Sequence, residues 1–268
     1  MRFISILKKQ KFRPKRSQNF LTNPFILGKI IKTANIKKKD KVLEIGAGPG
    51  NLTQALAEKA GRVFAVEIDR TLLAILKNNL REYTNVSVVS ADALKINLSS
   101  FGLKNLGYKL VANIPYNITG KILRKFLFKE PRPKVLVLLL QKEVAKKIVE
   151  KPPKANKLSL SVQFYGRPKI ISLVKKENFW PRPKVDSALV KISVKKKIPL
   201  EAEKHFFSLI QIGFSSSRKY LINNFKQAKI GDEKKILRIF KNLKINPKIR
   251  ASELSQDKWL KLSRKISL

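Results

Sequence analysis

At 268 residues the chain has room for one large α/β domain and a small appendage, and 43% apolar residues suffice for a packed core. Lysine and arginine number 59 against 18 acids, a formal charge of +41, which points to a polyanionic partner because each phosphate neutralised releases counterions. Cysteine is absent and His205 is the one histidine, so disulfides, thiolate chemistry and a His or Cys metal site are excluded; the longest apolar run, 135–140, is far short of a membrane span. The protein is expected in the cytoplasm, with no metal requirement and no membrane partner.

Residues 1–17 repeat Lys and Arg among scattered Phe and Ile and read as a basic arm. Thr22, Asn23 and Pro24 open a helix whose apolar face is Ile26, Leu27, Ile30 and Ile31. A turn at 37–40 leads into DKVLEIGAGPG, residues 40–50. Val42, Leu43 and Ile45 form a short buried strand, Gly46, Gly48 and Gly50 a turn, and Leu52, Ala55, Leu56 and Lys59 fall at helical spacing, with Gly61 as the expected cap. Without a Cβ, such a turn lets backbone N–H groups approach a ligand, and the spacing G-x-G-x-G, in place of G-x-G-x-x-G, suits a ligand with no pyrophosphate.

A strand follows at 62–68, with Glu67 falling 21 positions after Gly46, where an acid can accept from ribose hydroxyls. Next come a helix at 70–80, a strand at 86–89 followed by Asp92, and a strand at 108–112 that runs into Asn113-Ile114-Pro115-Tyr116. A helix at 119–128, a strand at 135–140 and a helix at 142–149 complete the alternation. Residues 151–157 read as a loop, 158–165 and 169–174 as strand material around Gly166, and 185–194 as a further strand after the segment FWPRPK at 179–184. Alternating strands and helices over 40–150 argue a Rossmann-like, mostly parallel sheet, and the later strands an antiparallel pair on its edge. After Pro199 only helices follow, at 203–212, 218–225, 233–243 and 254–262, so the expected domains are 1–198 and an all-helical 199–268.

In an open α/β sheet ligands bind beyond the carboxyl ends of the strands, where the glycine turn, Glu67, Asp92 and Asn113 all fall. Glu67 can take ribose hydroxyls, Asp92 an exocyclic amine of adenine, and the glycine N–H groups a carboxylate. A nucleoside bearing an amino acid has these features, which is S-adenosylmethionine, leaving S-adenosylhomocysteine after transfer. The segment 113–116 suits methylation of an exocyclic amine, whose lone pair is conjugated into its ring. Two acceptors, the Asn113 side-chain oxygen and the Ile114 or Pro115 carbonyl, can pull that nitrogen toward tetrahedral geometry, and Tyr116 offers a ring on which an extruded base stacks. In-line transfer then needs positioning, with no metal or covalent intermediate.

The chain resembles the small-subunit ribosomal RNA adenine N6,N6-dimethyltransferases through SQNFL at 17–21, EIGAGPG at 44–50, VEID at 66–69, ADAL at 91–94, NIPY at 113–116, LQKEVA at 140–145, FWPRPKVDSALV at 179–190 and GFSSSRKYLINNF at 213–225. The resemblance covers residue 15 to the end and implies a class I S-adenosylmethionine-dependent methyltransferase fold with a helical, rRNA-binding C-terminal domain. It places methyl-donor contacts on Asn19, Leu21, Gly46, Gly48, Gly50, Glu67, Asp92 and Asn113, and target-base contacts on Asn113, Pro115 and Tyr116, with Phe179 as a second stacking face. Ser17 stands where the family usually has Gly, and Ile114 where Leu is commoner. The implied substrate is a pair of adjacent adenosines in the 3′-terminal hairpin of small-subunit rRNA, met on an immature small ribosomal subunit; a monomer is expected, because rRNA presents a single asymmetric target. Arg182, Lys184, Arg218 and Lys219 are the candidate phosphate contacts. Two other readings compete: a large-subunit rRNA dimethyltransferase of the macrolide-resistance type, and an rRNA-binding assembly factor in which methylation is secondary. The FWPRPKVDSA and SSSRKYL segments favour the small-subunit enzyme.

Overall fold

A computed structural model of the protein describes residues 5, 7, 12–15, 18–115 and 118–266. Ser17 and Tyr116 therefore lie outside the described residues. The chain forms two compact units, residues 1–145 with 166–195 and residues 146–165 with 196–268. The second unit thus takes a mid-chain segment that a single cut near residue 199 leaves out.

The first unit begins with β1 (Phe20–Leu21), α1 (Pro24–Ala34), β2 (Lys41–Ile45), α2 (Asn51–Ala57), β3 (Arg62–Glu67), α3 (Arg70–Asn79) and β4 (Val86–Ser90). It continues with β5 (Tyr108–Asn113), α4 (Thr119–Phe126), β6 (Val135–Gln141) and the start of α5 (Lys142–Val149). After α6 (Lys157–Tyr165), which belongs to the second unit, come β7 (Gly166–Val174), β8 (Phe179–Trp180) and β9 (Ser187–Val194). The main sheet has the order β4-β3-β2-β5-β6-β9-β7, its first five strands parallel and the last two antiparallel, as the strand pattern predicts. Strands covered on both faces read as unbroken apolar runs, and Leu136 through Leu140 are each at most 1% exposed. From β2 the chain winds outward through β3 and β4, then returns to β5 on the other side of β2. This reversal opens a crevice beyond the carboxyl ends of β2, β3 and β5.

The opposite edge of the sheet is fixed by Asp40. Its oxygens lie 2.7 Å from Lys109 Nζ, 2.8 Å from Lys134 Nζ and 2.8 Å from the Lys37 N–H. Burial alone would raise this carboxyl, but those hydrogen bonds outweigh it and hold Asp40 below the usual carboxylate range. Lys109 Nζ also donates to the carbonyl of Asn35, the left-handed residue (φ 48°) that ends α1. Gly61 is not a helix cap, since α2 ends at Ala57 with Glu58 as its cap. A Cβ at Gly61 would lie 2.2 Å from the Lys38 carbonyl oxygen, so glycine is needed for backbone approach. A second small sheet, which the sequence pattern does not reveal, pairs β1 with β8, Phe20 facing Trp180 and Leu21 facing Phe179.

The second unit holds α6, α7 (Glu203–Gly213), α8 (Leu221–Gln227), α9 (Glu233–Asn242) and α10 (Gln256–Ser263). Residues 158–165, expected as a strand, are helical. Leu158, Leu160, Val162 and Phe164 alternate at period two, but Asn156 and Ser159 exchange reciprocal hydrogen bonds that start a helix, and Ser159 is buried with the apolar residues. Trp259 packs on Phe214 and Phe225, and a Cβ at Gly213 would meet its ring at 2.3 Å. Buried Asn224 donates from Nδ2 to the carbonyls of Gly213 (2.6 Å) and Ser216 (3.0 Å). These bonds fasten the loop that carries exposed Arg218 and Lys219, and α8 starts only at Leu221 because Tyr220 pairs as an extended residue with Arg250.

Candidate active site

At the carboxyl ends of the parallel strands lies a cavity of about 310 Å³, within the range of small-molecule sites. Asn19, Gly46, Gly48, Glu67, Asp92, Asn113 and Pro115 line it, so most of the residues that sequence reasoning assigned to one site do meet there. Sequence reasoning missed Lys15, Gln18, Ile68 and Asp69, which also line it. Among the described residues three acids, Glu67, Asp69 and Asp92, face the cavity against one cation, Lys15, in a chain where cations outnumber acids more than threefold.

Each acid is oriented by backbone. Glu67 Oε2 accepts from Gly48 N–H (2.8 Å), and Oε1 from Ile68 N–H (2.8 Å) and Asp69 N–H (2.9 Å). Three of its roughly four acceptor positions are used, which leaves one for a ribose hydroxyl. Asp69 caps α3 through Oδ1, while Oδ2 holds Lys15 Nζ at 2.8 Å and Gln18 Nε2 at 3.2 Å. Burial works against its ionisation, but the bonds from Lys15 and Gln18 prevail and its carboxyl stays below the usual range. Asp92 Oδ1 accepts from Leu94 N–H (2.8 Å), and its Oδ2 has no hydrogen-bond partner among the described residues. Asn113 donates from Nδ2 to the Asn19 carbonyl at 2.7 Å, which leaves its side-chain oxygen as the free acceptor.

Several expectations need correction. The glycine N–H groups do not face a ligand carboxylate: those of Gly46 and Ala47 point to the Val66 carbonyl, that of Gly48 to Glu67, and that of Gly50 to the Ala47 carbonyl. The turn folds onto the end of β3 and its donors are spent there. Gly50 lies away from the cavity; its φ of 101° starts α2, and a Cβ would sit 3.0 Å from Leu76. Leu21 borders a smaller neighbouring cavity and its carbonyl accepts from Asn51 Nδ2 at 3.0 Å. Phe179 is 4% exposed in the core with Leu21, Val174 and Leu189, so it offers no open stacking face; the partly buried ring of that segment is Trp180, stacked on Phe20. The Pro115 carbonyl accepts from Ile118 N–H at 3.1 Å, which leaves Ile114 as the better second acceptor. Arg182 pairs with Glu177, and Lys184 lines a separate open groove with Lys142, Lys175 and Lys176. Among the described residues no group of His, Cys, Asp and Glu could hold a metal, and no helix is long and apolar enough to cross a membrane.

A family model described as ribosomal RNA adenine dimethylase matches residues 9–267. The chain belongs to the ribosomal RNA adenine dimethylase family. The dimethylase is 40% identical over 254 residues to the ribosomal RNA small subunit methyltransferase A of Dehalococcoides mccartyi, covering 94% of this chain and 87% of that one. It is 37% identical over 257 residues to the protein of the same name from Clostridium botulinum, covering 94% and 93%. Among solved structures it matches a dimethyladenosine transferase from Plasmodium falciparum with a TM-score of 0.80 at 28% identity, over 93% of this chain and 100% of that one. The 23S rRNA methyltransferase ErmE shares the fold, with a TM-score of 0.76 at 24% identity over 92% of the dimethylase and 99% of ErmE. The fold is that of a class I methyltransferase, and the dimethylase is an rRNA adenine dimethyltransferase.

Proposed function

We propose that the dimethylase transfers methyl groups from S-adenosylmethionine to N6 of two adjacent adenosines in the 3′-terminal hairpin of small-subunit rRNA, acting as a monomer on an immature small subunit. The acid-lined cavity carries this reading, because it is suited to a cationic ligand in an otherwise basic protein. When bound, S-adenosylmethionine supplies an electrophilic methyl group on a sulfonium. Glu67 takes a ribose hydroxyl, Asp92 Oδ2 the adenine amine, and Asn19 with the Ile68 and Leu72 side chains closes around the rest. The Asn113 oxygen and the Ile114 carbonyl would accept from the N–H groups of the target amine, two before the first transfer and one before the second, and so orient its lone pair, with one amine proton released to solvent at each transfer. Tyr116, beside them in sequence, gives the flipped adenine a stacking face.

Labelled S-adenosylmethionine with unmethylated small and large subunits tests this, the modified nucleoside being mapped by mass spectrometry. Dimethyladenosine at two adjacent 3′ positions is expected. Label confined to large-subunit RNA, or tight binding without transfer, overturns the substrate assignment. Asn113→Ala is expected to lower kcat on the order of a hundredfold, as loss of one preorganised polar contact does. Tyr116→Ala should raise KM for the subunit by roughly tenfold or more, the worth of one base–aromatic stack. Light scattering of the purified protein is expected to give a monomer mass.

A further inference from the structure

Lys125 has no part in the chemistry above, yet it ties two parts of the site together. It lies in the last turn of α4, the helix that starts at Thr119, separated by two residues from the 113–116 motif. Its stem is half-buried and its Nζ donates to the Leu94 carbonyl at 3.1 Å and the Ile96 carbonyl at 2.7 Å. Those carbonyls belong to a tight turn built on Asp92, whose Oδ1 accepts from Leu94 N–H and whose own carbonyl accepts from the N–H groups of Lys95 (2.8 Å) and Ile96 (3.2 Å). The turn therefore folds around Asp92 from inside and is clamped from outside by one ammonium. A lysine can fill that place because its flexible stem carries three donors on one atom. Burial lowers the Lys125 pKa and the nearby Asp92 carboxylate opposes this, so the ammonium and the carboxylate sense each other without pairing directly.

We infer that Lys125 is a positioning residue for recognition of the cofactor's base: by clamping the 94 and 96 carbonyls it aims the free oxygen of Asp92 at the adenine amine. The inference rests on the reading of Asp92 as the acceptor for that amine. Because the clamp comes from α4, it also ties the cofactor's base to the element that follows the target-base motif. Losing Lys125 lets the Asp92 turn reorient, which costs selectivity for an amine at that position more than it costs general affinity.

The test is calorimetric binding of S-adenosylhomocysteine and S-inosylhomocysteine, which carries an oxygen in place of the exocyclic amine, to the full-length protein. The parent is expected to prefer the adenine compound by on the order of tenfold or more, the worth of a hydrogen bond to a charged acceptor. Lys125→Met is expected to bring that preference close to unity, and Lys125→Arg, whose fork can reach both carbonyls, to retain most of it. Asp92→Ala serves as the control. If Asp92→Ala keeps the preference, the reading of Asp92 fails and the inference with it. If Asp92→Ala loses it while Lys125→Met binds both compounds more weakly in the same ratio, Lys125 is merely structural and the inference alone is overturned. Should Lys125→Met not fold, Lys125→Gln takes its place with the same two outcomes.

Discussion

Glu44 stands beside the glycine turn at 1% exposure, and its Oε2 meets no hydrogen-bond donor among the described residues. Burial, reinforced by the charge of Glu67, pushes its carboxyl up to about 8. The folded chain therefore holds a proton on Glu44 across a range where the unfolded chain has released it. Its contribution to stability is complete below the unfolded carboxylate range and is lost as pH rises toward 8. Thermal melts at pH 6 and pH 8.5 check this: the parent should lose stability relative to Glu44→Gln on going to the higher pH, by up to a few kcal/mol. An equal change in both proteins would show that Glu44 is already ionised in the fold. Glu67, Asp92 and Asn113 were legible as residues of the candidate site because Glu67 and Asn113 end parallel strands and Asp92 follows another by two residues, and strand ends on one edge converge. Lys15, Gln18 and Asp69 were not, because Asp69 reads as an ordinary helix cap and its partners come from a segment with no periodicity. The Asn113 oxygen was read from the sequence as an acceptor, but the bond that orients it, from its amide nitrogen to the Asn19 carbonyl, had no local signal because the two residues lie far apart in the chain.

Among elements, the Asp40 cluster joins four of them: the end of α1, the start of β2, β5 through Lys109 and the approach to β6 through Lys134. Removing one partner of a buried pair leaves an uncompensated charge, here Lys109 at 6% side-chain exposure. Asp40→Asn is expected to cost about 3–5 kcal/mol in denaturant unfolding. A loss below about 1 kcal/mol would mean that Lys109 reaches water or finds other acceptors. The parallel strands were readable because a strand buried on both faces must be apolar throughout. Helix α6 was not, because alternation of small serines with large apolar residues imitates a half-buried strand; the reciprocal Asn156 and Ser159 bonds were its one local signal. β1 and β8, two residues each, carry no pattern at all, since their pairing depends on residues far apart in the chain.

For the whole molecule, the charge of +41 sets how binding responds to salt. Affinity for the small subunit should fall steeply with ionic strength, each phosphate contact adding about 0.7–0.9 to the log–log slope. If Arg218 and Lys219 each meet a phosphate, replacing both by Gln reduces that slope by about 1.5 and leaves S-adenosylhomocysteine binding unchanged. An unaltered slope places both cations off the RNA.

The pairing of β1 with β8 bears on how the enzyme is made. Asn19 enters the cavity from a segment anchored at the far end of the first unit's sequence: Phe20 and Leu21 pair with Trp180 and Phe179, and Thr22 donates from its N–H and its hydroxyl to the Asn178 carbonyl. During translation this segment meets Asp69, Asn51 and Asn113 early, but the strand it pairs with leaves the exit tunnel much later. Growing chains should therefore pass through a long stage in which the glycine turn and its neighbouring strands exist but the wall of the cofactor site that holds Asn19 lacks its partner strand. Ribosome-stalled chains that end before residue 178 are expected to leave labelled S-adenosylmethionine unbound, and chains long enough to expose β9 to bind it. An enzyme that modifies ribosomes would thus stay inactive on the one that is making it until its own first unit is complete.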